Sequence, residues 1–96
     1  MSAYILAQVS ISDRGAYAAY EAGFRAILDN HRGEIVSVDE SPEVLEGDWP
    51  CTRTVLLRFV SKEAARGWYH SEAYKQLAQV RFNSASANIV MVAGFD

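Results

Sequence analysis

The start of the chain alternates between two kinds of position. Ile5 and Ala7 fall on one side of an extended backbone, and Tyr4 and Leu6 fall on the other. A period of two is typical of a β-strand, so the pattern predicts a strand over residues 3–12. One side of this strand is wholly apolar and the other is half apolar, which indicates that both sides need cover.

The pattern then changes to apolar residues spaced three and four apart, which predicts an amphipathic helix. Ser12 or Asp13 is expected to cap its start, and Gly33 is expected to end it in a left-handed conformation. Glu21 and Arg25 fall on the outer side, four residues apart, and are expected to form a weak surface pair. The apolar stripe consists of Tyr17, Tyr20, Phe24, Ile27, Leu28 and His31.

The remaining chain predicts three more strands and two more helical segments. In the second strand, Ile35 is expected to face one side of the sheet and Val38 the other. Ser71 is cap-like and follows an aromatic cluster, which indicates a break between the two helical segments. The strands are expected over residues 34–40, 52–60 and 88–93, and the helices over residues 62–69 and 72–84.

The predicted order of elements is β-α-β-β-α-β in a single domain of residues 1–96. With right-handed crossovers this order gives an α+β, ferredoxin-like fold, in which a four-stranded antiparallel sheet carries its helices on one face. The first, third and last strands are apolar on both faces, and no other segment of these 96 residues is long enough to cover the open face. We therefore expect a homodimer through the open sheet face, burying about 800 Å² on each partner.

Composition narrows the classes of function. The net charge is −3 and there is no basic run, which argues against a nucleic-acid-binding surface. A single cysteine, Cys51, excludes an internal disulfide and fits a reducing compartment. No apolar run approaches the roughly 18 residues of a membrane span, and the first residues resemble a strand more than a signal peptide. We expect a cytoplasmic protein that does not associate with membranes.

Two motifs and several single residues carry a resemblance to a known family. They are Glu46-Gly47-Asp48-Trp49-Pro50, the run Trp68-Tyr69 followed by Ser71 and Tyr74, and the residues Arg53, Phe59 and Arg81. This combination is similar to domain-of-unknown-function family 1330, and the resemblance covers almost the whole chain. It implies a dimeric α+β barrel, but no established function and no agreed catalytic residues. The family usually has two glycines where this chain has Arg32-Gly33.

Glu46, Trp49 and Arg53 form the first group of candidate site residues. A carboxylate, an indole ring and a guanidinium in one wall of a pocket would orient a small anionic or carbonyl-bearing ligand. The alternative is structural: Glu46 pairs with Arg53 or Arg81, and Trp49 seals the edge of the dimer. The sequence leaves both interpretations open.

Tyr69, Ser71, Tyr74 and Arg81 form the second group of candidate ligand-binding residues. Tyr74 and Arg81 are seven residues apart and share one side of the last helix. An arginine on an apolar stripe needs a partner, because an unpaired buried charge is very costly. That partner is either a carboxylate such as Glu46 or a bound ligand. Ser71 is expected to be a helix N-cap rather than a nucleophile.

The sequence contains no motif that dictates a reaction. The two histidines and the cysteine match no metal spacing, and neither a metal nor a cofactor is expected. If the chain is an enzyme, we expect proton transfer or cofactor-independent oxidation, with Glu46 or His31 as the base and Arg53 or Arg81 stabilising an anion. His31 also fits an ordinary helix-terminal role.

Two functions of different classes therefore stay open. One is a homodimer that binds a small organic molecule in a cleft between sheet and helices. The other is a non-catalytic module, in which the Glu, Arg and Trp cluster only stabilises the fold and the dimer. A cavity beside an unpaired guanidinium would favour the first, and mutually paired charges without a cavity would favour the second.

Overall fold

The computed structural model describes residues 1–50 and 52–96, so Cys51 lies outside the described residues. Its elements follow the predicted order, with the second helical region divided into two helices. The strands are β1 (Ala3–Ile11), β2 (Glu34–Asp39), β3 (Arg53–Phe59) and β4 (Ala85–Ala93), and the helices are α1 (Arg14–Asn30), α2 (Lys62–Tyr69) and α3 (Glu72–Ser84).

The four strands form one antiparallel sheet in the order β2-β3-β1-β4. This order, with β1 and β3 in the centre, confirms the predicted ferredoxin-like topology. Alternate residues of β1 are buried under the helices, including Ile5, Ala7 and Val9. β4 begins at Ala85, earlier than expected, and pairs with β1 along its whole length.

The helix-facing side of the sheet supports an aromatic-rich core. Its largest fully buried side chains include Trp68, Tyr74 and Phe59. Helices α1 and α3 approach closely where Gly23 faces Leu77, and a Cβ on Gly23 would lie only 3.0 Å from a Leu77 methyl carbon. The missing side chain thus permits a close helix contact, which brings the polar groups of both helices together.

The end of α1 differs from the expected arrangement. Arg32, not Gly33, has a positive φ, of 59°. The Gly33 N–H donates to the Leu28 carbonyl at 3.0 Å and the Arg32 N–H to the Asp29 carbonyl at 3.1 Å, which is a Schellman motif. Gly33 serves a different purpose, because a Cβ there would lie 2.7 Å from the Phe59 ring.

The expected orientation of Val38 is wrong because β2 contains a bulge. Ile35 pairs with Leu57 and Val38 pairs with Val55, with a register shift between Ile35 and Ser37. The additional residue inverts the alternation, so Ile35 and Val38 both face the helices. Both also line the cavity described below.

The helix-free side of the sheet carries a row of apolar residues across three adjacent strands, β3, β1 and β4. Leu6 pairs with Leu56 on one side and with Val90 on the other. Val90 is 52% exposed and Val92 46% exposed, whereas Leu6 and Leu56 are half-buried. The apolar second face predicted from the sequence is therefore present.

Candidate functional site

A cavity of about 170 Å³ lies between the sheet and the helices. Its walls are mainly apolar, with aromatic rings contributed by α1, α2 and α3. Arg53 enters from β3 and Arg81 from α3. The lining also includes Ile5, Ala7, Tyr17, Tyr20, Glu21, Ile35, Val38, Trp68, Tyr74 and Ile89.

Arg81 is a buried cation in this lining. It is 5% exposed, and its Nε has no hydrogen-bond partner among the described residues. Its guanidinium carbon lies 4.9 Å from the Phe82 ring centre and 5.9 Å from the Tyr20 ring centre. No carboxylate of residues 1–50 or 52–96 forms an ion pair with it. Burial disfavours its charged form, but the Tyr74 and Tyr20 oxygens more than offset this effect, so the pKa of Arg81 lies above its ordinary value.

A buried pair of tyrosine hydroxyls lies in the same lining. The hydroxyl oxygens of Tyr20, on α1, and Tyr74, on α3, are 2.7 Å apart. Burial, reinforced by the neighbouring Tyr74, raises the pKa of Tyr20. One hydroxyl donates to the other, which leaves one O–H hydrogen of the pair for another acceptor. Together with Arg81, this part of the cavity is rich in hydrogen-bond donors.

Arg53 has a very different environment. Its two terminal nitrogens donate to Glu21 at 2.6 Å and to Glu40 at 2.8 Å, and its guanidinium lies 5.3 Å from the Tyr17 ring centre. Arg14 also binds Glu40 through two hydrogen bonds, of 3.0 and 2.9 Å. Hydrogen bonds from Arg14 and then Arg53 lower the pKa of Glu40 from its ordinary 4.5 to about 2.

These contacts revise two details of the sequence analysis. Glu21 is bound by Arg53, in place of the expected pair with Arg25. Sequence reasoning also did not single out Glu40. The register of β2 and β3, which places Asp39 opposite Thr54, explains why the next residue reaches Arg53. A hairpin aligned from the sequence would have supplied this signal, provided that the bulge in β2 was known.

Ser71 and Tyr69 lie at the junction of α2 and α3. The Ser71 hydroxyl accepts from the Tyr74 N–H at 3.1 Å and donates to the Trp68 carbonyl at 2.8 Å. Ser71 therefore forms the N-cap of α3. The Tyr69 ring borders a second cavity, under α2.

The lining of the first cavity does not include Trp49, Glu46 or His31. The Trp49 Nε1 donates to the Thr54 hydroxyl at 2.8 Å, and Thr54 alternates with Arg53, so this contact belongs to the helix-free side of the sheet. Glu46 is exposed in the loop between β2 and β3, and His31 forms the C-cap of α1. Of the candidate residues, the cavity brings together Arg53, Tyr74 and Arg81.

Two absences apply to the part of the chain that the structure describes. Residues 1–50 and 52–96 contain no group of three or more His, Cys, Asp and Glu side chains able to hold a metal ion. Among the same residues, no helix has the length and apolar character needed to cross a membrane.

The family follows from comparison with known sequences. The model of a domain of unknown function, DUF1330, matches residues 2–95. The chain belongs to the DUF1330 family. No curated protein matches the sequence of this DUF1330 protein.

Solved structures confirm the fold of this DUF1330 chain. RPA0582, a protein of unknown function from Rhodopseudomonas palustris, is 15% identical with a TM-score of 0.82, over 99% of this chain and 83% of that one. A dimeric ferredoxin-like protein of unknown function from Jannaschia sp. CCS1 is 15% identical with a TM-score of 0.67, over 98% and 100%. SnoaB, a cofactor-independent oxygenase from Streptomyces nogalater, is 11% identical with a TM-score of 0.62, over 99% and 94%.

Proposed function

We propose that this DUF1330 protein binds a small organic anion, with an apolar body about the size of one ring, in the cavity between sheet and helices. The observation that carries the proposal is Arg81, a buried guanidinium that lines the cavity without a carboxylate partner among the described residues. The ligand would supply the negative charge that the neighbouring side chains do not.

The energetics of burial support this proposal. Removing a cation from water without an opposite charge costs on the order of several kcal/mol, and a bound anion would offset this cost. Aromatic faces at 4.9 and 5.9 Å offset part of this cost for Arg81. They leave the Nε hydrogen free, and the pair of Tyr20 and Tyr74 has one more hydrogen to donate. Two such donors fit a carboxylate or another oxyanion.

The size of the cavity favours a compact ligand. An engineered apolar cavity of about 150 Å³ accepts benzene, and the volume here is about 170 Å³. Aliphatic side chains such as Ala7 and the face of Trp68 provide walls for a ring. An aromatic carboxylate combines these two requirements, so benzoate is a suitable test compound.

The structural alternative applies to Arg53 better than to Arg81. Arg53 is bound by Glu21 and Glu40, which is the internal ion-pair network that the alternative requires. Glu46, which the alternative pairs with an arginine, is exposed in its loop. If a bound ligand reacts, Tyr20 and Tyr74 are the titratable groups beside Arg81, whereas Glu46 and His31 lie outside the cavity lining.

Titration calorimetry with benzoate tests the proposal on the wild type, Arg81→Met and Lys75→Met. Both variants remove one positive charge from α3, but Lys75 is exposed. We expect binding by the wild type and by Lys75→Met, and a loss of at least about tenfold for Arg81→Met. Equal affinities in all three proteins would contradict the proposal. Unfolding of Arg81→Met would instead support a structural role for this side chain.

We also propose that two copies of the chain pair through the helix-free side of the sheet. The apolar row of Leu6, Leu56 and Val90 supports this assembly, since antiparallel sheets with a wet face normally alternate with polar residues. A similar structure is described as dimeric. The covered row would form the sheet-on-sheet centre of a dimeric α+β barrel.

A further inference from the structure

A second cavity, of about 220 Å³, adjoins the first one beneath α2. Its lining includes the polar side chains of Arg66, Tyr69 and His70. Two apolar residues, Ile5 and Ile89, line both cavities. The two spaces therefore meet at the same pair of side chains.

The strand register shows how this boundary is built. Ala7 pairs with Ile89, and Ile5 pairs with Met91, on the helix-facing side of the sheet. Ala7 lines the first cavity and Met91 lines the second. Ile5 and Ile89 are thus diagonal neighbours on adjacent strands. They lie between Ala7, in the first cavity, and Met91, in the second.

Across from the sheet, two neighbouring residues of α2 line different cavities. Trp68 lines the first cavity and the adjacent Tyr69 lines the second, with ring centres 5.9 Å apart. Sheet and helix each contribute to a partition. Ile89 is its more replaceable member, because it is half-buried on the edge strand β4 whereas Ile5 is 5% exposed on a central strand.

We infer that Ile89 determines the length of the ligand, by separating the anion-binding cavity from the second cavity under α2. This inference rests on the proposed function. The wild type accepts a ligand of about one ring in the first cavity, and shortening residue 89 joins the two spaces. The joined cavity takes a longer ligand with the same anionic end.

Calorimetric titration of two compounds tests the inference. Benzoate is the short compound and biphenyl-4-carboxylate is the long one, and both are titrated into the wild type and Ile89→Ala. We expect Ile89→Ala to bind the long compound about tenfold more tightly than the wild type does, since pocket contacts of one or two carbons discriminate on this scale. Because Ile89 also lines the first cavity, benzoate should bind Ile89→Ala no more tightly than the wild type, so the gain is specific to the long compound.

Met91→Phe in the Ile89→Ala background provides the matched control, because the phenylalanine ring is bulkier than the methionine side chain and fills the second cavity. The gain for the long compound should then disappear. If circular dichroism shows that Ile89→Ala does not fold, Ile89→Val replaces it with a smaller expected gain. A wild type that does not bind benzoate overturns the proposed function and this inference with it. Benzoate binding without a gain for the long compound, or a gain that Met91→Phe leaves intact, overturns this inference alone.

Discussion

Arg53 and Arg81 line one cavity, yet their neighbours give them different roles. Arg53 has a carboxylate on each terminal nitrogen, while Arg81 faces aromatic rings and hydroxyls. Two carboxylates already balance the charge of Arg53, although its Nε, like that of Arg81, has no hydrogen-bond partner among the described residues. The polar chemistry of the cavity therefore concentrates at Arg81 and the adjacent pair of Tyr20 and Tyr74.

The tyrosine pair allows a direct test at the scale of single atoms. Tyr74→Phe removes one hydroxyl and leaves the buried Tyr20 hydroxyl without this partner. We expect the free energy of unfolding to fall by about 1–3 kcal/mol, measured by urea denaturation. The double variant Tyr20→Phe, Tyr74→Phe should recover part of this loss, because neither hydroxyl then remains unpaired. Additive losses in the double variant would show that the two hydroxyls do not interact.

Arg32 offers a gain in stability at the end of α1. A non-glycine residue with a φ of 59° carries a steric cost that glycine avoids. We expect Arg32→Gly to raise the free energy of unfolding by about 0.5–1 kcal/mol in chemical denaturation. Arg32→Ala is the control, since it removes the charge but keeps the Cβ. A gain of the same size in Arg32→Ala would assign the effect to charge and contradict the backbone explanation.

At the scale of elements, periodicity predicted most of the fold. The apolar stripe of α1, the break before Ser71 and the two apolar faces of the central strands are all local patterns, and each has its expected place in the structure. These patterns succeed because the face of an element depends mainly on which of its residues must leave water.

The features that sequence reasoning missed depend on contacts between elements. The bulge in β2 turns Val38 toward the helices, and only the pairing with β3 reveals it. Gly33 is needed for its contact with Phe59, a residue far along the chain, and not for a left-handed conformation. Glu21, on α1, forms its ion pair with Arg53 on β3, a contact that the spacing of residues within α1 does not reveal. The candidate site could be predicted only as residue types, since the cavity is defined by how three helices lie on the sheet.

The ion pairs between α1, β2 and β3 predict the response to acid. Glu40 has a pKa of about 2 in the folded protein, below its ordinary 4.5. Its contribution to stability is therefore present above about pH 4.5 and disappears as the pH falls toward 2. We expect Glu40→Gln to flatten the decline of the unfolding midpoint with pH in this range. Glu43→Gln, which changes an exposed carboxylate of the following loop, should leave the wild-type slope, and a flattened slope in both variants would contradict the assignment.

At the scale of the molecule, the two sides of the sheet present different surfaces. The helix-facing side holds the cavity with Arg81, and the helix-free side carries the apolar row of Leu6, Leu56 and Val90. Side chains alternate along each strand, so a substitution on one side need not disturb the other. Val90 borders the second cavity but not the first, so assembly and benzoate binding can be tested independently.

Val90→Glu tests the proposed dimer. Val90 is 52% exposed in one chain, so the glutamate is tolerated in a monomer but would meet an apolar surface in a sheet-on-sheet dimer. Native mass spectrometry of the wild type should show a dimer, and Val90→Glu should shift it to a monomer with an unchanged circular dichroism spectrum. Val44→Glu is the matched control, because Val44 is 49% exposed in the loop before β3; it should remain dimeric. A monomeric wild type would contradict the proposed dimer. A Val90→Glu dimer as stable as the wild type would show that the dimer forms through another surface.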